Sequence, residues 1–207
     1  MKNPFHHKNR HSVVDMFRPP PGYRLDQAVG TTYSVDFVTL TSVLMAFADA
    51  ESDEENGSSI PEQLFAFTRL SERLKLFVNR GCILLSGVRE SSRICAIYDS
   101  LIEEVSLPEG SFHPKLWFLS YKPKQTPENA GAKRIHRLLV GSRNLTLSNC
   151  WELAVKLDGQ SATGIRRDSV GGVLARYLKS IQQFTECQSN VLDTAIANLP
   201  SIEFSLP

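Results

Sequence analysis

The sequence predicts an α/β fold, a β-sheet sandwiched between helices, and three observations predict it. Runs rich in β-branched and aromatic residues alternate with segments of helical period, the pattern of strands and helices that cover one another. Two apolar, strand-like stretches near 111–119 and 138–146 have the character of central strands. The chain of 207 residues is 42% hydrophobic, enough for one substantial core and the length of one generous domain.

Taken in order, residues 1–22 are rich in His, Lys, Arg and Pro, and Pro19-Pro20-Pro21-Gly22 suits neither a helix nor a central strand. They are expected to form an arm leading into a domain over 23–207. Thr31 to Leu40 reads as a core strand, and Thr41-Ser42 as the cap of a helix through Val43–Ala48. Asp49 to Gly57 holds five acids and no base, a solvated loop. Pro61 opens a helix with Leu64, Phe67, Leu70, Leu74 and Phe77 at three- and four-residue spacing until Gly81. Cys82 to Ser86 is short and apolar, as a buried strand is, and Ser92 to Val105 fits a helix loosely.

The segment 121–137 contains Pro123, Pro127 and Gly131 and is expected to be a loop or hairpin extension. Glu152 to Leu157 alternates as a strand does and ends in a turn at Asp158-Gly159. Asp168-Ser169 caps a helix with apolar positions from Val170 to Phe184. A short helix around Val191–Leu199 ends at Pro200, and Ile202 to Pro207 begins a strand without an evident partner.

Composition excludes several classes. A net charge of +1 excludes a globally basic nucleic-acid binder, yet Lys122, Lys124, Lys133, Arg134, Arg137 and Arg143 face only Glu128 over 122–143. This basic insertion, about 121–137, is a candidate grip for a polyanion. Cys82, Cys95, Cys150 and Cys187 form no C-x-x-C pair, so neither a zinc cluster nor a disulfide framework is indicated. No apolar run reaches the roughly 18 residues of a membrane span, so the protein is expected to be soluble, unsecreted and cytoplasmic.

The chemistry concentrates in the two apolar stretches. A strand sends residues i and i+2 to one face, so His113 and Lys115 project together, as do Ser142 and Asn144 if the chain stays extended past Gly141. An imidazole can attack phosphorus, an ammonium can neutralise the non-bridging oxygens, and a hydroxyl and an amide can donate hydrogen bonds to them. The residue types point to phosphodiester chemistry.

His113-Pro114-Lys115-Leu116-Trp117, with Gly141-Ser142-Arg143-Asn144-Leu145-Thr146 and then Trp151-Glu152, resembles the H-x-K … G-S-x-N signature of the phospholipase D superfamily. It is most similar to the bacterial phospholipase D-like proteins found among nucleases and phage-defence genes. The resemblance implies a phospholipase D-like mixed β-sheet between helices and a phosphodiesterase that needs no cofactor. It makes His113 the nucleophile of a phosphohistidine intermediate, with Lys115 and Asn144 on the phosphoryl oxygens, Ser142 assisting and Glu152 orienting the imidazole. Two departures stand out: Ser120 occupies the place of the family's aspartate, and a long basic spacer precedes Gly141.

That chemistry uses two histidines, one attacking and one protonating the leaving oxygen, and this chain carries the motif once. The resemblance therefore implies a homodimer, or a partner supplying a second H-x-K half. DNA is expected as substrate rather than RNA, with helicase- or methylase-type defence proteins as companions and no membrane. The alternative is a catalytically idle subunit that binds nucleic acid or organises a defence complex; a phospholipase is the lesser option.

Overall fold

The computed structural model describes residues 13–48, 67–84, 98–147, 152–186 and 189–205. Nine strands are found among them: β1 (Tyr23–Thr32), β2 (Val35–Asp36), β3 (Leu74–Asn79), β4 (Ile83–Leu84), β5 (Ile102–Val105), β6 (Leu116–Pro123), β7 (Ile135–Gly141), β8 (Ala154–Ser161) and β9 (Ile202–Ser205). Helices α1 (Val13–Phe17), α2 (Phe37–Ala48), α3 (Val170–Ile181) and α4 (Asn190–Asn198) accompany them, and residues 67–70 and 98–101 are also helical. The main sheet has seven strands in the order β5-β3-β1-β6-β7-β8-β9. The β5-β3-β1 side is parallel, and every pairing from β1 to β9 is antiparallel. The expected helix–sheet–helix sandwich is present.

Period-2 alternation divides the strands between two cores. Trp117, Leu119 and Tyr121 of β6 face a cluster with α2 and Phe17, whereas Phe118 faces a second cluster with Leu174 and Leu178 of α3 and Leu192 and Ala195 of α4. Ser169 caps α3 as its sequence indicates, its side chain accepting from Gly172 N at 3.1 Å.

Several elements differ from their sequence reading. The strand expected over Thr31–Leu40 ends at Thr32, because Asp36 Oδ1 accepts from Thr39 N at 2.7 Å and starts α2 four residues before the expected cap. Leu74 and Phe77 lie in β3, paired in parallel with β1, rather than on a helix. Ile83–Leu84 is a two-residue strand beside β2, half-buried to exposed, and Ile102–Val105 is the edge strand β5. Asp158-Gly159 makes no turn: β8 runs straight through it, and a Cβ at Gly159 would sit 2.7 Å from Glu203 O of β9. The glycine admits the neighbouring backbone, and the tail at Ile202 has found its partner in β8. Part of the expected arm is docked: Phe17 is buried against Phe47 and Trp117, with ring centroids 6.2 and 5.0 Å away. The acidic loop at 49–57, Cys95, Cys150, Cys187 and Trp151 lie outside the described residues.

Candidate active site

The site forms at the open end of the β6–β7 hairpin. Register pairs Thr31 with Leu116 and Leu116 with Val140, and Gly141 N donates to Lys115 O at 2.9 Å. The residues just before β6 and just after β7 are thereby brought to one edge of the sheet.

His113 and Lys115 precede β6 in an extended segment rather than within the strand. They do come together: Lys115 Nζ donates to His113 Nδ1 at 2.7 Å and to His113 O at 3.1 Å. With Nδ1 accepting, the proton of the neutral ring belongs on Nε2. Burial moves the Lys115 pKa down. Tyr33 lies against the imidazole, ring centroids 4.8 Å apart, and its own pKa is raised, first through its hydrogen bond to the Cys82 thiol. Asn79 Oδ1, at the end of β3, accepts from Phe112 N at 2.8 Å, and its Nδ2 donates to Cys82 Sγ at 3.3 Å. Tyr33, Asn79 and Cys82 thus hold the approach to His113.

On the other strand the chain bends at Ser142 and Arg143, so Ser142 and Asn144 do not share a strand face. Ser142 is exposed, and its Oγ accepts from Leu153 N at 3.1 Å. Asn144 turns inward: with Lys115, Arg143, Glu152, Thr31 and Thr32 it lines a cavity of about 60 Å³. Its Oδ1 is buried without a partner, a polar atom that a bound group would have reason to meet. The loop beyond is pinned by residues the sequence reading passed over. Leu145 N donates to Thr32 Oγ1 at 3.0 Å, and Leu147 N donates to Asp36 Oδ2. Asp36 was readable as a helix N-cap from Asp36-Phe37-Val38-Thr39; Thr32 and Asn79 carried no local signal.

Glu152 was expected to orient His113. Its carboxylate instead accepts from Arg143 Nη1, while Arg143 Nη2 donates to Thr146 O at 2.7 Å. A guanidinium in the same cavity wall holds the acid in a charge-assisted hydrogen bond.

Of the six basic residues expected to grip nucleic acid, four are held in ion pairs. Arg137 is 6% exposed, paired with Asp158 at 2.7 Å and donating to Met16 O and Arg18 O. Lys122 and Arg134 both pair with Asp26, at 2.8 and 3.0 Å, and Arg143 holds Glu152. Lys124 is half-buried and Lys133 exposed. The connection between β6 and β7 lies at the closed end of the hairpin, roughly 23 Å from the site for seven residues of strand rise. Ser120 is buried in mid-strand beside His136.

Among the described residues no helix is long and apolar enough to cross a membrane, and no cluster of three metal-ligating side chains is found. No family model matches the chain, and no curated protein matches it. Solved structures do. A substituted form of yeast tyrosyl-DNA phosphodiesterase superposes with a TM-score of 0.54 at 14% identity, over 97% of this chain and 39% of that one. A second structure of the yeast enzyme gives 0.52 at 12% identity, over 95% and 39%. The chain has the fold found in these structures and spans about two fifths of their length.

Proposed function

We propose that the chain is a phosphodiesterase of the phospholipase D superfamily that cleaves DNA through a phosphohistidine at His113, in a site completed by a second chain. The observation that carries the reading is the joining of His113 to Lys115 beside the cavity that Lys115 shares with Asn144, on a fold held in common with an enzyme named for phosphodiester cleavage at DNA. A phosphate entering the cavity draws the Lys115 ammonium from Nδ1 to its non-bridging oxygens, and the Asn144 amide donates beside it. The freed imidazole attacks phosphorus through a ring nitrogen, and the bond to the leaving oxygen breaks. That oxygen takes its proton from a second imidazole, which the single motif of this chain requires another chain to bring. Water, deprotonated by the second imidazole, then hydrolyses the phosphohistidine to a phosphomonoester. A twofold pair is the simplest source of the second imidazole. Bacterial phage defence is the setting suggested by the motif's resemblance.

The test is cleavage of DNA in excess EDTA, with the phosphorylated protein trapped by rapid denaturation at alkaline pH, where phosphohistidine survives. Label on wild type and none on His113→Ala is the expected result. Cleavage that stops with the chelator yet survives the substitution would refute the mechanism. Light scattering should give twice the 23.1 kDa chain mass. A second reading, an idle subunit that binds nucleic acid, is favoured by one observation: Glu152 is held by Arg143 instead of supporting His113. DNA retention without turnover by any substrate, as a monomer or a dimer, would select it.

A further inference from the structure

On the sheet face covered by α3 and α4, side chains change character within one step. Val29, Phe118 and Leu138 stand in register across β1, β6 and β7, all buried and apolar. Two residues along the same face, the row is Gln27, Ser120 and His136, which are 8%, 3% and 4% exposed. Three polar side chains side by side in a layer interface work against closing it, since each buried polar group without a partner costs roughly 1–3 kcal/mol. The helix above answers in kind. Asn190, Thr194 and Asn198 recur every fourth residue of α4 and border the same opening, while Val191, Leu192 and Ala195 are buried. Between the two polar surfaces lies a groove of about 410 Å³, within the size range of small-ligand sites.

The groove's partnering is incomplete. Gln27 Nε2 donates to Val191 O, and His136 Nε2 meets Ser161 Oγ at 3.1 Å. His136 Nδ1 is buried with no partner. The charges that line it balance, Asp26 and Glu72 against Arg73 and Arg134; Asp26 is already paired with Arg134 and, outside the lining, with Lys122. His136 adds no charge, since burial pushes its pKa down to about 4.

We propose that this groove is a second binding site, separate from the His113 end, for a neutral small molecule rich in hydroxyl and amide groups, a sugar or a nucleoside. Neutrality follows from the balanced rim, and the hydroxyl and amide content from the donors and acceptors on both walls. The proposal stands independently of the phosphodiesterase reading.

The experiment is heteronuclear NMR of the full chain titrated separately with N-acetylglucosamine and adenosine, which distinguishes the two sources. One probe is expected to give saturable shifts of the Gln27, Asn190 and Asn198 side-chain amides and the His136 imidazole, with a millimolar or tighter Kd. Asn198→Leu, on the exposed side of α4, is expected to weaken that binding about tenfold, the loss of one good hydrogen bond, while Lys133→Ala leaves it unchanged. No saturable shift with either probe, or shifts that Asn198→Leu leaves intact, would mean that the groove holds only water and would overturn the proposal.

Discussion

The β6–β7 hairpin carries a histidine toward each end, and the two ends treat it in opposite ways. At the open end His113 is exposed, met at a tilt by the Tyr33 ring and hydrogen-bonded to an ammonium. Toward the closed end His136 is 4% exposed, stacked within 13° of parallel on Phe118, and its charged form is disfavoured. The cations divide in the same way: Lys115 stands against an imidazole beside a cavity, whereas Lys122 and Arg134 share Asp26 and Arg137 is paired with Asp158. Residue type alone does not make a site. What distinguishes the open end is that three strands stop there together and leave polar groups with room in front of them.

The largest effects should separate the two histidines. His113→Ala is expected to lower DNA cleavage by at least about a thousandfold, the scale of losing a covalent nucleophile, while leaving the unfolding midpoint within experimental error. If cleavage falls only a few fold, the open end is not the reacting end. Titration of His136 should act on stability instead. Its folded pKa, about 4, lies below the ordinary 6.5, so the unfolded chain binds the proton more readily. The contribution is fully present above pH 6.5, begins to fall below it, and is lost as pH drops through 4, by about 3 kcal/mol in all. Urea denaturation followed against pH should show this decline, and His136→Leu should flatten it. An identical pH slope in the variant would contradict the assignment.

Arg137→Leu comes next. It strands Asp158 and frees the Met16 and Arg18 carbonyls, so a loss of about 2–3 kcal/mol is expected in the same assay, the partial exposure of Asp158 keeping it below the full cost of a buried pair. Lys115 gives a smaller, kinetic signal. In the proposed mechanism it is charged when it binds phosphate, and burial lowers its pKa, so the alkaline limb of the pH–rate profile should fall below the ordinary lysine value of 10.5, and Lys115→Arg should move that limb upward.

Much of this arrangement was legible in the sequence where the signal was local. The Ser169 cap, α4 and the two apolar strands at the site are short-range patterns, and the pairing of His113 with Lys115 needed only two residues of spacing. What was not legible depended on distant partners. Leu74-Lys75-Leu76-Phe77 satisfies a helical spacing as well as a strand, and only parallel pairing with β1 decides for the strand. Gly159 resembled a turn because the close approach of β9 is invisible from 45 residues away in the chain. Glu152 followed the motif at the expected distance, but nothing in the spacing revealed that Arg143 would take it first.

The smallest expected effect tests the closed end directly. Six cations in 22 residues invite the inference that the insertion grips DNA, yet an antiparallel hairpin places its loop as far as possible from the ends of its outer residues. Phosphate reaching Lys122 or Arg134 would also have to displace Asp26, which returns little net energy for two exposed or half-exposed pairs. Lys133→Ala combined with Arg134→Ala is therefore expected to change DNA affinity by less than about threefold and to reduce the slope of log affinity against log salt by less than about one phosphate contact. Fluorescence anisotropy at several salt concentrations measures both. A tenfold loss with a steeper change in slope would mean that DNA crosses the whole sheet from His113 to the hairpin tip, and the two ends would then belong to one surface.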